Sequence, residues 1–294
     1  MLLILFIGII IMVNVFYRSA KSKMDQSTIN WVLPNLGIAD HDKQLKQQLT
    51  ALVRYLEQAL APDYVEQIKN RIMREQEINE QEWENRWFEW KRLCLLTLIC
   101  KDIPLYSREI DEIWLEAVEY PAQLKEFSQK LIGQSQFPRP RLPKDEIKQN
   151  ERAWFDMLYT LIFENTWYSQ RTYGNFFKYP LTKEMTTDFS TRTTEELIKK
   201  YFQNEWNSQI PILEETIKTL IAYIKKQLHW FEGTPFEQIT KIASKKGGNH
   251  ERLIKFLYLS VYEYDQYEKW ESSFIIDPDP PGENVQKVYQ DLSK

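Results

Sequence analysis

Apolar residues recur every three or four positions along most of this chain, and no segment alternates apolar and polar residues convincingly. Spacings of three and four place side chains on one face of an α-helix, whereas a half-buried strand needs a period of two. The clearest helical series has steps of four, three, four and four, and consists of Trp83, Trp87, Trp90, Cys94 and Leu98. The chain is therefore predicted to be all-α, with about nine helices in its body.

The Trp83 series lies in a helix predicted from about Asn79 to Cys100. A second apolar row of Leu93, Leu96 and Ile99 widens the buried face of this helix, which indicates a central position in the fold. Its polar face is predicted to carry Glu82, Glu84, Glu89 and Arg92.

Capping residues set the bounds of further helices. Ser107 is predicted to cap a helix that runs to about Ile132 and is terminated by Gly133. Thr193 followed by Glu196 forms a capping box, which predicts the start of another helix.

Breaks in this helical pattern divide the chain into segments. Proline and glycine mark the linkers, and a run of apolar residues marks the N-terminus. The predicted segments are an anchor (1–17), a juxtamembrane linker (18–39), an N-terminal helical subdomain (40–137), a proline-rich linker (138–143), a C-terminal helical subdomain (144–276) and a tail (277–294).

The N-terminal run from Met1 to Tyr17 contains no charged residue, and Arg18, Lys21 and Lys23 follow it. As a helix it would be about 25 Å long, the short end of what spans a bilayer. Basic residues flank the cytoplasmic end of such anchors, so the sequence predicts a single-pass protein of the cell membrane with a cytoplasmic body. A cleaved signal and a buried helix are the alternatives.

Composition excludes several kinds of function. The net charge is −4, and because residues 1–23 contribute +3, the rest of the chain carries −7. Such an acidic body argues against a nucleic-acid partner, because phosphate binding needs a basic surface. With eight glycines and no phosphate-binding fingerprint, we expect no nucleotide cofactor.

No metal or catalytic site is predicted. The histidines, His41, His229 and His250, are far apart in sequence and lack partners at ligand spacing. Cys94 and Cys100 lie six positions apart in one predicted helix, so they cannot bridge each other and are expected to be buried, reduced thiols.

Two blocks of residues point to a family. An aromatic helix, Arg86 to Leu93, precedes a block from Ser107 to Leu115, and the stretch from Trp83 to Pro140 resembles the region shared by proteins related to the glycine-rich domain-containing proteins. The matching motif residues are Trp87, Ser107, Asp111, Trp114, Phe127 and Gly133. The resemblance implies a helical fold and no particular reaction.

This chain departs from the family where the family has histidines. Leu115 stands where one histidine is expected, and Gln136 and Phe137 replace a pair of them. Any chemistry that depends on those histidines is therefore not expected here.

The leading prediction is a membrane-anchored protein whose helical body binds another protein and carries no catalytic motif. The alternative is an enzyme or small-ligand-binding protein with a pocket lined by Trp and Glu between helices. The residues predicted to contact a partner are the aromatic residues of an irregular segment, one surface leucine and two prolines: Trp167, Tyr168, Tyr173, Phe176, Phe177, Tyr179, Leu115, Pro138 and Pro140.

Overall fold

The computed structural model describes residues 29–143, 147–234, 237–239, 248–271 and 274. These residues form helices and no strands, so the all-α prediction is confirmed for the described part of the chain, with more helices than the nine expected. The α-helices are α1 (Lys43–Ala59), α2 (Pro62–Glu75), α3 (Glu80–Ile99), α4 (Arg108–Val118), α5 (Pro121–Ile132), α6 (Gln149–Ile162), α7 (Trp167–Tyr173), α8 (Lys183–Thr191), α9 (Thr194–Tyr201), α10 (Pro211–Phe231), α11 (Asn249–Tyr262) and α12 (Glu268–Glu271), and 3-10 helices span Pro34–Gly37 and Tyr264–Gln266.

The prediction of a single-pass membrane protein needs correction. None of the helices formed by the described residues combines the length and the apolar character that crossing a membrane requires. The run from Met1 to Tyr17, with the flanking Arg18, Lys21 and Lys23, lies outside the described residues.

Helix α3 is central, as predicted, and it is buried on nearly all sides. The polar face predicted for this helix is largely enclosed, because Glu82, Glu89 and Arg92 are all buried. Charged residues look solvent-exposed in a sequence, and here they are enclosed because distant segments supply hydrogen-bond partners.

The helix predicted from Ser107 to Ile132 is two helices. The break falls at Tyr120, and Pro121 begins α5, because proline has no backbone N–H and is favoured at the first helical position. Ser107 caps α4 as predicted, its Oγ accepting from the backbone N–H of Ile110 at 3.3 Å.

Both predicted subdomains contribute to a shared core. Helix α1 packs against α3 and α5 of the first half and against α10 of the second half. The buried cluster runs from Leu33 to Phe274 through both halves. That residues 138–143 link two folding units stays a prediction. Among the described residues, the core continues across this segment.

A buried network joins α3 to three other segments. The Arg92 guanidinium donates to the Leu36 carbonyl at 2.9 Å, to the Tyr159 hydroxyl at 2.7 Å and to Ser169 Oγ at 3.1 Å. Tyr159 and Ser169 donate in turn to the Glu89 carboxylate, at 2.5 and 2.8 Å. Burial raises the pKa of Glu89. The network fixes α6, α7 and the segment before α1 against one turn of α3.

Replacing Arg92 with Met should lower the free energy of unfolding by about 3–5 kcal/mol, because Glu89 then stays buried without its cation. Chemical denaturation measures the change. Arg54 is exposed on α1, and Arg54→Met should change stability by less than about 0.5 kcal/mol. The double variant Arg92→Met/Glu89→Leu should recover part of the loss, and a single variant as stable as wild type would contradict the prediction.

Candidate functional site

Three interhelical loops meet on one side of the helical body. They follow α3, α5 and α9, and backbone hydrogen bonds join them. Lys101 N–H donates to the Tyr201 carbonyl at 3.1 Å, and Gln203 N–H donates to the Ile99 carbonyl at 2.9 Å. Leu105 N–H donates to the Arg141 carbonyl at 3.0 Å. Interhelical loops often carry binding residues, and these are held in fixed relative positions by their own backbone.

A cleft opens between the three loops, and we call it the loop cleft. Its volume is about 680 Å³, and a narrow recess of about 190 Å³ adjoins it. Asp102, Pro138 and Gln203 line both spaces. The loop cleft is further lined by Lys101, Gln134, Ser135, Gln136, Glu205 and Trp206. Amide, hydroxyl and charged groups therefore dominate its surface.

Two backbone features shape the loop cleft. Gly133 has φ +72 and ends α5, so that the chain turns into the segment 134–138. A Cβ at this position would lie 3.1 Å from the Gln209 side chain, which leaves little room for another residue. Asp102 has φ +50 on the rim, a left-handed conformation that Asp tolerates better than most residues with a side chain.

Trp206 forms part of the wall of the loop cleft. Its side chain is 3% exposed, and its Nε1 finds no hydrogen-bond acceptor among the described residues. The Oδ1 atom of the adjacent Asn207 also lacks a donor within the described part of the chain. A buried polar group without a partner costs about 1–3 kcal/mol. Both atoms are closed off from solvent, so a ligand in the cleft does not reach them unless the wall moves.

Cys100 lines the narrow recess and is buried. Burial raises the pKa of its thiol well above the ordinary value, which keeps the sulfur protonated and a poor nucleophile. Cys94 is buried as well, and neither residue forms a disulfide, which confirms the prediction of two buried, reduced thiols.

The two predicted partner-binding prolines are near this site. Pro138 is exposed and lines both spaces, and Pro140 is buried and lines the recess. Leu115, predicted to be a surface leucine, is exposed on α4, with 49% of its surface accessible.

The predicted aromatic partner surface needs correction. Tyr168, Tyr173, Phe176 and Phe177 are all buried, and Trp167 and Tyr179 are half-buried. This segment is too apolar to remain in solvent, and it packs across the helices.

One buried ion pair holds the aromatic segment in place. Arg152 donates to the carbonyls of Tyr173 and Asn175 at 2.7 and 3.0 Å, and its partner Asp156 accepts from the Phe177 N–H at 2.8 Å. Burial raises the pKa of Asp156 to about 6, and the Arg152 cation opposes that shift.

The residues of the family-like motif have structural roles. Trp87, Trp114 and Phe127 are in the core, and Asp111 accepts from Arg139 Nε at 3.1 Å. The three positions that depart from the family differ in environment: Leu115 lies on the surface, Gln136 in the loop cleft, and Phe137 in the core, where it stacks on Trp114.

The structure brings together two histidines that the sequence placed far apart. The rings of His41 and His250 lie 4.8 Å apart between their centroids. His41 Nε2 is 3.2 Å from the Thr160 carbonyl, and His250 Nδ1 is 3.2 Å from the Tyr223 hydroxyl. Only the folding of α6, α10 and α11 beside the start of α1 creates this contact, and no sequence signal announces it.

The described residues around the histidine pair do not form a metal centre. Nowhere in the described ranges do three or more His, Cys, Asp or Glu side chains gather in a group that could hold a metal ion. Asp40, Glu164 and Glu251 are the acidic groups that act on the pair electrostatically.

Comparisons with protein-family models, curated proteins and solved structures find no match to this chain. The resemblance of Trp83 to Pro140 to the glycine-rich domain-containing proteins stays a prediction.

Acidification should weaken the fold through the histidine pair. Burial lowers the pKa of His41 and of His250 from the ordinary value of 6.5, and in His250 the His41 charge lowers it further. A base with a lowered pKa stabilises the fold above its unfolded-state pKa, and that contribution is lost as the pH falls. Asp156, with its raised pKa, acts in the opposite direction over the acidic range.

A pair of variants separates these effects. Between about pH 7.5 and about pH 5, wild type should lose more free energy of unfolding than His41→Gln/His250→Gln does. Urea denaturation at a series of pH values measures both curves. His229 is exposed, so His229→Gln should give a curve parallel to wild type. If the curves for wild type and the double variant coincide, the histidine pair does not contribute to the pH dependence of stability, and the prediction is refuted.

Proposed function

We propose that this chain is a peptide-binding protein that takes an extended segment of a partner protein in the loop cleft. The observation that carries the proposal is the lining of the cleft, in which Gln134, Gln136 and Gln203 present three side-chain amides. A peptide backbone offers N–H and C=O partners for such amides at regular intervals.

The character of the cleft favours a peptide over a compact apolar ligand. Pockets for small molecules are mostly lined by hydrophobic and aromatic side chains with few polar groups. Here Gln134, Gln136 and Gln203 each offer one acceptor oxygen and two donor hydrogens. Side-chain amides of this kind can pair with both the N–H and the C=O of a peptide group.

The cleft walls are organised before any ligand arrives. Phe137 N–H donates to Ser128 Oγ at 2.9 Å, and the Phe137 ring stacks on Trp114 with centroids 5.8 Å apart. Prolines at 138 and 140 restrict the backbone that follows. Binding to such a surface loses less conformational entropy than binding to flexible loops would.

Selection from a phage-displayed library of random peptides tests the proposal. The enriched peptides should bind wild type, and Gln136→Trp should weaken them at least about tenfold because the larger side chain fills the cleft. Gln136 is exposed, so the change should leave the fold intact, which circular dichroism verifies.

Gln47→Trp provides the matched control. Gln47 is exposed on α1 and does not line the cleft, so this variant should bind the selected peptides as wild type does. Failure to enrich any peptide, or equal binding to all three proteins, would refute the proposal.

A further inference from the structure

We propose that two copies of this chain associate through the outer face of α4, with their two α4 helices antiparallel across a two-fold axis. The residues of this surface, which we call the α4 face, are Arg108, Glu112, Leu115, Val118 and Glu119. None of them lines the loop cleft, so the inference is independent of the proposed peptide binding.

The α4 face carries an exposed apolar patch. At 100° per residue, its five members lie within about 120° of arc around the helix. Leu115 and Val118 are 49% and 48% exposed, more than any other large hydrophobic residue in the described part of the chain. Residues three positions apart are neighbours on a helix, so these two side chains form one patch. Contiguous apolar surface of this kind is typical of interaction sites.

Contacts within the chain flank the α4 face without covering it. On one side, Arg71 of α2 pairs with Glu116 at 3.3 Å. On the other side, Arg139 Nε donates to Asp111 at 3.1 Å. The α4 face between these contacts remains mostly exposed, so its apolar patch has no cover from the described residues.

Opposite charges stand at the two ends of the α4 face. Arg108 begins α4, and Glu119 follows its last residue with a helical backbone conformation. They are eleven positions apart, which is about three turns, so they lie on the same line along the helix. Both are exposed, and neither side chain forms an ion pair or hydrogen bond with another described residue.

The helix itself does not favour these two charges. The N-terminal end of a helix dipole is positive and the C-terminal end is negative. A cation at Arg108 and an anion at Glu119 are therefore both placed against the dipole of their own helix. In an antiparallel copy the ends are reversed, so each charge lies near the end of the other helix that attracts it.

A second copy satisfies the apolar patch and both charges together. With the two-fold axis midway between Arg108 and Glu119, each Arg108 faces Glu119 of the partner subunit, and two equivalent ion pairs form. This axis passes between positions 113 and 114. The two Leu115 side chains then lie only about 4.5 Å apart along the helix direction and pack together at the centre. Apolar contact at the centre with ion pairs beside it is also the pattern of helix pairs in coiled coils.

The size of the surface indicates weak association. Helix α4 has 11 residues, so a single helix pair buries less than the roughly 800 Å² per partner that is usual for stable interfaces. We therefore expect a reversible dimer with a dissociation constant of roughly 10–100 µM.

Sedimentation equilibrium of the full chain, at about 1–200 µM protein to bracket that constant, measures the association. Leu115→Glu should weaken the dimer at least about tenfold, because a carboxylate then replaces the central apolar contact. Val261→Glu is the matched control. Val261 is 37% exposed on α11, outside the α4 face, so this variant should dimerise as wild type does. Circular dichroism verifies that both variants are folded.

Reversing the terminal charges tests the antiparallel arrangement. Arg108→Glu alone and Glu119→Arg alone should each weaken self-association about three- to tenfold, because both terminal pairs then have like charges. Each reversal suits the dipole of α4, so the loss cannot come from a weakened helix. An equimolar mixture of the two variants should recover wild-type association, because every terminal pair in the mixed dimer has opposite charges.

A second pair of reversals provides the control for charge. Lys226→Glu and Glu195→Arg change exposed residues outside the α4 face, and each should dimerise as wild type does, alone or mixed.

Three results would overturn the inference. A wild-type chain that stays monomeric over the whole concentration range has no second copy on its α4 face. A dimer that is insensitive to Leu115→Glu associates through another part of the chain. Failure of the mixed charge variants to recover association excludes the antiparallel pairing of Arg108 with Glu119 of the partner subunit.

Discussion

The fold depends on a buried ion pair between Glu89 and Arg92, whose side chains are both fully enclosed. Enclosing two charges costs several kcal/mol per ion, and good hydrogen-bond geometry is needed to offset that cost. Tyr159, Ser169 and the Leu36 carbonyl supply the geometry from three different segments. Each of those segments must lie within hydrogen-bond distance of the same turn of α3, so the network specifies how the helices pack as well as stabilising them.

The parts of this fold that the sequence predicted are those with local causes. Apolar spacing reveals α3, Ser107 caps α4, and the Thr193–Glu196 capping box begins α9. The errors arose where a distant partner decides the outcome. Glu89 and Arg92 lie on the predicted polar face of α3, and their burial depends on Tyr159 and Ser169, which approach from far along the chain. The break before Pro121 has a local cause, because proline interrupts a helix, and the sequence alone is sufficient to predict it.

The loop cleft was only partly foreseeable. Pro138 and Pro140 marked a segment without regular structure, but Lys101, Gln136 and Gln203 lie on loops that meet only after the helices have packed. The burial of the aromatic segment also depends on a distant partner. Its residues were predicted to contact another protein, but the Arg152–Asp156 pair on α6 holds that segment against the core.

Unsatisfied buried groups occur both in the closed core and beside the loop cleft. Trp90 and Trp114 also have an indole N–H without an acceptor among the described residues, and they pack against each other with ring centroids 5.0 Å apart and line neither the loop cleft nor its recess. Their deficit is offset by aromatic packing in a closed core. Arg92 Nη2 is similarly enclosed, close to the backbone at Gly37. Trp206 has the same deficit, and its indole nitrogen is as inaccessible as theirs, although its ring forms part of the wall of the loop cleft. Its place in that wall, and not its unsatisfied N–H, is therefore what connects Trp206 with a binding site.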